Sequence, residues 1–164
     1  MKRKSIATGI IIAGLGIVSS ASALPIVENA SQFHAVDASQ QQHLAYNAHG
    51  VSNSSASPVT VVGTVARIPQ GLVGTQIVTI VGYNEDIATT TACSIIAVTP
   101  VSLGNSAVLK KFNPNGIVTN FNHTWTRSVA FDASEAGPLA SFIIRCTLDG
   151  NHKSRIHSVR VDSP

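Results

Sequence analysis

Residues Leu139–Leu148 read LASFIIRCTL, and residues Ala92–Thr99 read ACSIIAVT. In extended backbone, alternate side chains point to opposite faces. On that spacing Cys146 shares a face with Phe142, Ile144 and Leu148, and Arg145 points the other way. Cys93 shares a face with Ile95 and Ala97. Both thiols therefore lie on the apolar side of their strands. They are the chain's two cysteines, and they read as one structural bridge, Cys93–Cys146. Closing so long a loop contributes about 4 kcal/mol in the chain-entropy model. A metal site would want close spacing such as Cys-x-x-Cys, which is absent.

The neighbouring text has the same character. Val59–Val65 is apolar and β-branched, and Gln76–Tyr83 carries Ile77, Val78, Ile80 and Val81, apolar on both parities as in a central strand. Ser106–Phe112 is followed by the turn Asn113-Pro114-Asn115-Gly116 and then Ile117–Phe121. Thr124–Asp132 puts Trp125, Val129 and Phe131 on one face. Asp149-Gly150 offers a tight hairpin turn into Arg155–Val161. The spacing gives about eight short strands and no convincing helix after Val59.

This pattern predicts an all-β antiparallel sandwich. Its expected core is Val61, Ile77, Val81, Ile95, Trp125, Val129, Phe131, Phe142, Ile144 and the two sulfurs. A cysteine pair with the lone Trp125 between its members resembles the immunoglobulin pattern. Trp125 stands near the second cysteine, and Ile144 occupies the position two before Cys146 where that pattern has Tyr. The resemblance implies an immunoglobulin-like architecture with the bridge running between two sheets. A small closed barrel is the competing topology.

Residues 1–23 read as a secretory signal peptide. Lys2, Arg3 and Lys4 precede the apolar stretch Ile6–Val18, and Ala21-Ser22-Ala23 forms a small-x-small cleavage site before Leu24. The apolar stretch is too short for a spanning helix, which needs about 20 residues. The expectation is an exported protein, periplasmic or extracellular, with no membrane span in the mature chain. Residues 24–57 are rich in Ser, Ala, Gln, Asn and His and read as a polar, low-complexity arm ending in the linker Ser52–Pro58. One short helix fits inside it, with Asp37 as its cap and Gly50 at its end. Residues 58–164 are then the single sandwich domain.

The 164 residues include 44% hydrophobic and 12% charged side chains, with a formal net charge of +3. Three of the eleven cations belong to the leader, which leaves eight against eight anions. A neutral body gives no electrostatic footprint for nucleic acid. Four later cations, Arg145, Lys153, Arg155 and Arg160, cluster on the expected last hairpin. They form either a basic surface patch for an anionic surface polymer or the charged dressing of an edge strand.

Catalytic and metal-binding sets are not recognisable. The six histidines, His34, His43, His49, His123, His152 and His157, show no ligand spacing, so no metal or cofactor is expected. His157, Ser158 and Asp162 are close in sequence, yet simple alternation puts His157 with Val159 and Val161 and Ser158 on the other face. Glu85-Asp86 reads as a solvated turn. Sequons at Asn29, Asn53 and Asn122 would matter only in a glycosylating host. The leading expectation is an exported non-enzymatic binding or surface-associated module. A subunit of a surface appendage or coat and a small secreted hydrolase are the alternatives.

Overall fold

The computed structural model describes residues 26–66, 74–85, 88–89, 91–101, 104–112, 123–137 and 139–162. The leader at residues 1–23, the Asn113–Gly116 turn, the strand at Ile117–Phe121 and the Asn122 sequon lie outside the described residues. Eleven strands are described: β1 (Ile26–Asn29), β2 (His34–Ala35), β3 (Leu44–Asn47), β4 (Gly50–Asn53), β5 (Val59–Ala66), β6 (Gln76–Asn84), β7 (Ala92–Val101), β8 (Gly104–Phe112), β9 (Thr124–Phe131), β10 (Ser141–Leu148) and β11 (Ser154–Asp162). Short 3-10 helices cover Ala30–Gln32 and Ala38–His43. All strand pairings are antiparallel.

The strands form the expected sandwich. The first sheet has the order β3-β4-β11-β6-β9, with β1 also paired to β11. The second has the order β2-β5-β10-β7-β8. Val61, Ile95, Trp125, Phe131, Phe142 and Ile144 are buried between the sheets, as their parity predicts. Ile77 and Val81 are not in the core. The inward residues of β6 are Val78 and Ile80, and Ile77 and Val81 are half-buried on the outer face. Gly82 accounts for this choice. It pairs with Trp125 across β6 and β9, and a Cβ on it would stand 2.3 Å from the indole Cζ2. The Trp125 ring thus takes the space of the missing side chain, which fixes even-numbered residues inward. Val129 is only partly buried against the core.

The bridge between Cys93 and Cys146 is present, in a different place from the immunoglobulin pattern. The two cysteines are direct partners on the adjacent strands β7 and β10 of one sheet. Their Cα separation of 4.1 Å suits a close cross-strand pair. Adjacent strands already bring inward residues side by side, so no inter-sheet crossing is needed.

The polar segment is the larger correction. Residues 26–57 belong to the sandwich: β1 and β4 pair with β11, and β2 pairs with β5. Ala30, Phe33 and Val51 are buried. Phe33 lies over Gly63, where an added Cβ would be 2.9 Å from the ring. Asp37 does cap a helix, accepting from the Ser39 amide at 2.9 Å, but that helix is 3-10 and ends at His43. Gly50 instead opens β4 after the turn Ala48-His49, with φ of +115° and the Ile156 carbonyl where a Cβ would go. The expected linker begins with Ser52 and Asn53, both buried in β4. Asn53 accounts for its own burial: its Nδ2 donates to the Ser57 carbonyl at 2.7 Å, and its Oδ1 accepts from the Ser55 amide at 2.9 Å. Polar composition here marks hydrogen-bonded turns and caps, not a loose arm.

Asp149-Gly150 does not make a hairpin. It carries the chain from β10 in the second sheet to β11 in the first. There β11 is an interior strand between β6 and the β1/β4 pair, so it has no edge to protect.

Candidate functional site

The strand register builds a row across the outer face of the first sheet. Ala45, Ser52, Arg155, Tyr83 and Thr124 are successive cross-strand partners on β3, β4, β11, β6 and β9. Four inter-strand steps span about 19 Å. Tyr83 is half-buried on the parity opposite the inward Gly82 and Asn84. The Arg155 guanidinium lies over its ring, 4.9 Å from the centroid. The His123 ring stands at a tilt beside it, with centroids 6.0 Å apart. His152 meets the row at Ser52, with Nδ1 and Oγ 2.9 Å apart.

Two of these histidines hold unusual backbone. His123 has φ of 53° and His152 has φ of 60°. Side chains other than Gly seldom adopt this left-handed region. The turn Asn151–Lys153 fixes one of them: the His152 amide donates to the Asn53 carbonyl at 2.7 Å. The His123 carbonyl accepts from the Asn84 amide at 3.0 Å, which ties the other to β6.

Beside Tyr83, Arg155 Nε and His123 Nδ1 are buried without a hydrogen-bond partner among the described residues, as is His157 Nε2 two residues along β11. Leaving such a group unpaired costs about 1–3 kcal/mol.

His157 occupies a bulge. The β11–β6 register shifts between Ile156 and Ser158, so two residues separate the inward Ile156 and Val159. The simple alternation that grouped His157 with Val159 therefore fails. The extra residue falls where the partner of β11 changes from β4, which ends its pairing at Ile156, to β1, which begins at Ser158. Burial holds the His157 imidazole below the usual histidine range, helped by the Arg155 cation and by His49.

The four cations of the expected patch are divided. Arg145 is exposed on the outer face of the second sheet, on the far side of the sandwich from Arg155 and Arg160. Lys153 lies in the turn before β11, where its carbonyl accepts from the Glu85 amide at 2.7 Å. Arg155 packs on Tyr83, and Arg160 pairs with Asp162 at 2.7 Å. The division follows from the sheet change at Asp149-Gly150. Sequence reasoning missed Tyr83 and set His123 aside with the other histidines for want of ligand spacing. The one signal for Tyr83 was Gly82, whose neighbours in a strand must face the opposite side.

A concave feature lies on the outer face of the other sheet, away from the Tyr83 row. It is a cleft of about 580 Å³ whose walls include Thr60, Ser94, Lys111, Phe112, Arg145 and Thr147. Among the described residues no group of three His, Cys, Asp or Glu could hold a metal ion. No described helix is long and apolar enough to cross a membrane.

No family model matches the chain, and no curated protein matches it. Solved structures do. The xylan-binding module CBM15 superposes over 85% of this chain and 96% of that one, with 14% identity and a TM-score of 0.51. A xylanase from Cellvibrio japonicus in complex with xylopentaose matches at 16% identity over 85% of this chain and 28% of that one, with a TM-score of 0.47. TmCBM61 in complex with β-1,4-galactotriose matches at 10% identity over 85% and 88% of the two chains, with a TM-score of 0.43. The first likeness shows a shared β-sandwich fold. The Cys93–Cys146 disulfide fits an oxidising compartment.

Proposed function

We propose that this protein is an exported, non-enzymatic carbohydrate-binding module that takes a polysaccharide on the outer face of the first sheet. The observation that carries the reading is the Tyr83 ring, flanked by Arg155 and His123, each with a buried, unpartnered nitrogen. A sugar ring has apolar C–H faces and a rim of hydroxyls. Tyr83 offers a flat apolar surface with a polar tip, the amphipathic form such a ligand matches. Arg155 Nε is a donor, and His123 Nδ1 can donate or accept according to tautomer. Both are buried in the free protein, so sugar hydroxyls would reach them as the flanking side chains turn aside on binding. The row crosses five strands, so it is long enough for several linked sugars.

The sandwich shared with the xylan-binding module supports the same reading. Export rests on the basic, apolar, small-residue order of residues 1–23 and on the disulfide. Mass spectrometry of the secreted protein should find a new N-terminus near Leu24. Recovery of intact Met1 from a membrane fraction would contradict export.

Binding is tested by native affinity electrophoresis in gels containing soluble xylan, mannan or galactan. The protein should be retarded by at least one of them. Tyr83→Ala should weaken that retardation by about tenfold or more, equivalent to about 1.4 kcal/mol, while melting as a folded protein. Migration unaffected by every polysaccharide, or full retardation of Tyr83→Ala, would overturn the proposal.

A further inference from the structure

We infer that the cleft on the second sheet is a separate site for an anionic oligosaccharide, one whose sugars carry carboxylates. Arg145, Ser94 and Lys111 are successive partners across β10, β7 and β8, so the two cations flank the cleft about 10 Å apart. Lys110 pairs with Glu135, Arg160 pairs with Asp162, and Arg155 lies on Tyr83. Arg145 and Lys111 have no acidic partner among the described residues. Arg127 on β9 and Lys153 before β11 also lack an acidic partner among the described residues, but neither lies at the cleft.

Edge protection explains Lys111, because β8 is the last strand of its sheet. It does not explain Arg145. β10 is the middle strand, paired on both sides by β5 and β7. The open face of the sheet calls for a polar residue at 145. A cation there, in line with a second one beside a cleft, also meets the need of an anion. The planar guanidinium can hold a carboxylate through two parallel hydrogen bonds, and Lys111 supplies a second point charge.

The rest of the cleft suits a sugar. Thr60 and Thr147 place hydroxyls 3.1 Å apart on the next row, each able to turn toward a ligand. Ser94 lies between the cations, and Phe112, the partner of inward Cys93, packs against the core beneath one end. The volume of about 580 Å³ lies within the usual range for ligand sites. Because the two faces lie on opposite sides of the sandwich, this site stands whether or not Tyr83 binds a neutral chain.

The experiment is titration calorimetry of the full protein with an oligogalacturonate and with the same oligomer after its carboxyl groups are reduced to alcohols. The acidic oligomer should bind, and its affinity should fall as salt is raised. The reduced oligomer should bind about tenfold more weakly or worse. Arg145→Ala and Lys111→Ala should each lower affinity for the acidic form about tenfold, and Tyr83→Ala should leave it unchanged. Both cations project from a sheet surface, so melting of the two variants checks that they fold. Absence of binding by the wild type, equal binding of the reduced oligomer, unchanged affinity in both cation variants, or preference for a sulfated neutral-sugar oligomer would overturn the inference. Loss of binding in Tyr83→Ala would assign the ligand to the other face and overturn it too.

Discussion

Cys93 and Cys146 are direct cross-strand partners within one sheet, joined at a sequence separation of 53 residues. The bridge therefore reinforces a pairing that the β7–β10 ladder already makes. Its main effect is on the unfolded chain, whose loop entropy it restricts by about 4 kcal/mol. The Cys93→Ala, Cys146→Ala double variant should keep its far-ultraviolet circular dichroism and lose about 2–4 kcal/mol of stability. Its melting temperature should fall by roughly 5–15 °C. A loss below about 1 kcal/mol would mean that the loop is already restricted in the unfolded state.

Gly82 and Trp125 set the face that β6 turns inward. A methyl group at 82 would stand 2.3 Å from the indole Cζ2 and 2.8 Å from the Arg155 carbonyl. The ring cannot yield easily, since Trp125 is buried and its Nε1 donates to Asn84 Oδ1 at 3.2 Å. Gly82→Ala should cost about 1–3 kcal/mol or more by overpacking. Trp125 is the chain's one tryptophan, so its fluorescence reports the site directly. The variant should shift emission to longer wavelength as the ring is pushed out. An unchanged spectrum and unchanged denaturation midpoint would show that the sheet absorbs the methyl group.

Residues 26–57 should be required for folding. Phe33 covers Gly63, and its carbonyl accepts from Tyr46 Oη at 2.6 Å. Gln41 then links Tyr46 Oη to the Ala35 amide, at 2.8 Å on each side. A chain starting at Val59 would leave β11 without β1 and β4 and would expose one flank of the first sheet. It should be insoluble or lack cooperative unfolding, and limited proteolysis of the longer protein should spare the segment. A stable fragment beginning near Val59 would show that these strands are dispensable.

Strand content and cysteine parity were readable because both depend on local alternation. The choice of partner was not. Parity places Cys146 inward and is silent on whether an inward neighbour lies beside it or across the core. In β6 the apolar residues fill both parities, so Ile77 and Val81 could not be told from Val78 and Ile80 without the packing of Trp125 on Gly82. The segment before Val59 was misread for a different reason. Ser52 and Asn53 are buried yet polar, and burial of that kind depends on hydrogen bonds to distant residues, such as Asn53 Nδ2 to the Leu148 carbonyl. The cations of the candidate sites were visible as charges. Their division between two faces was not, because Asp149-Gly150 looks the same whether it turns a hairpin or changes sheets.

His157 gives the fold a pH dependence of definite sign. Its ordinary value is 6.5, and burial, the Arg155 charge and His49 lower it in the folded protein. Below the ordinary value the unfolded chain binds the proton more readily than the folded one. Stability is then present above about pH 6.5 and is lost as the pH falls toward the lowered folded value. The carboxyls of Asp37, Asp132 and Glu135 are also lowered, held by hydrogen bonds from Ser39, Ser134 and Lys110 respectively, but they act in the more acidic carboxylate range. Protonated His157 in the bulge would add a second cation close to Arg155. Urea denaturation at a series of pH values should show stability declining from about pH 7 to pH 5. His157→Gln should flatten that decline while leaving the more acidic loss in place. An equal slope in the variant would mean that another group titrates in this window and that the bulge tolerates the charged imidazole.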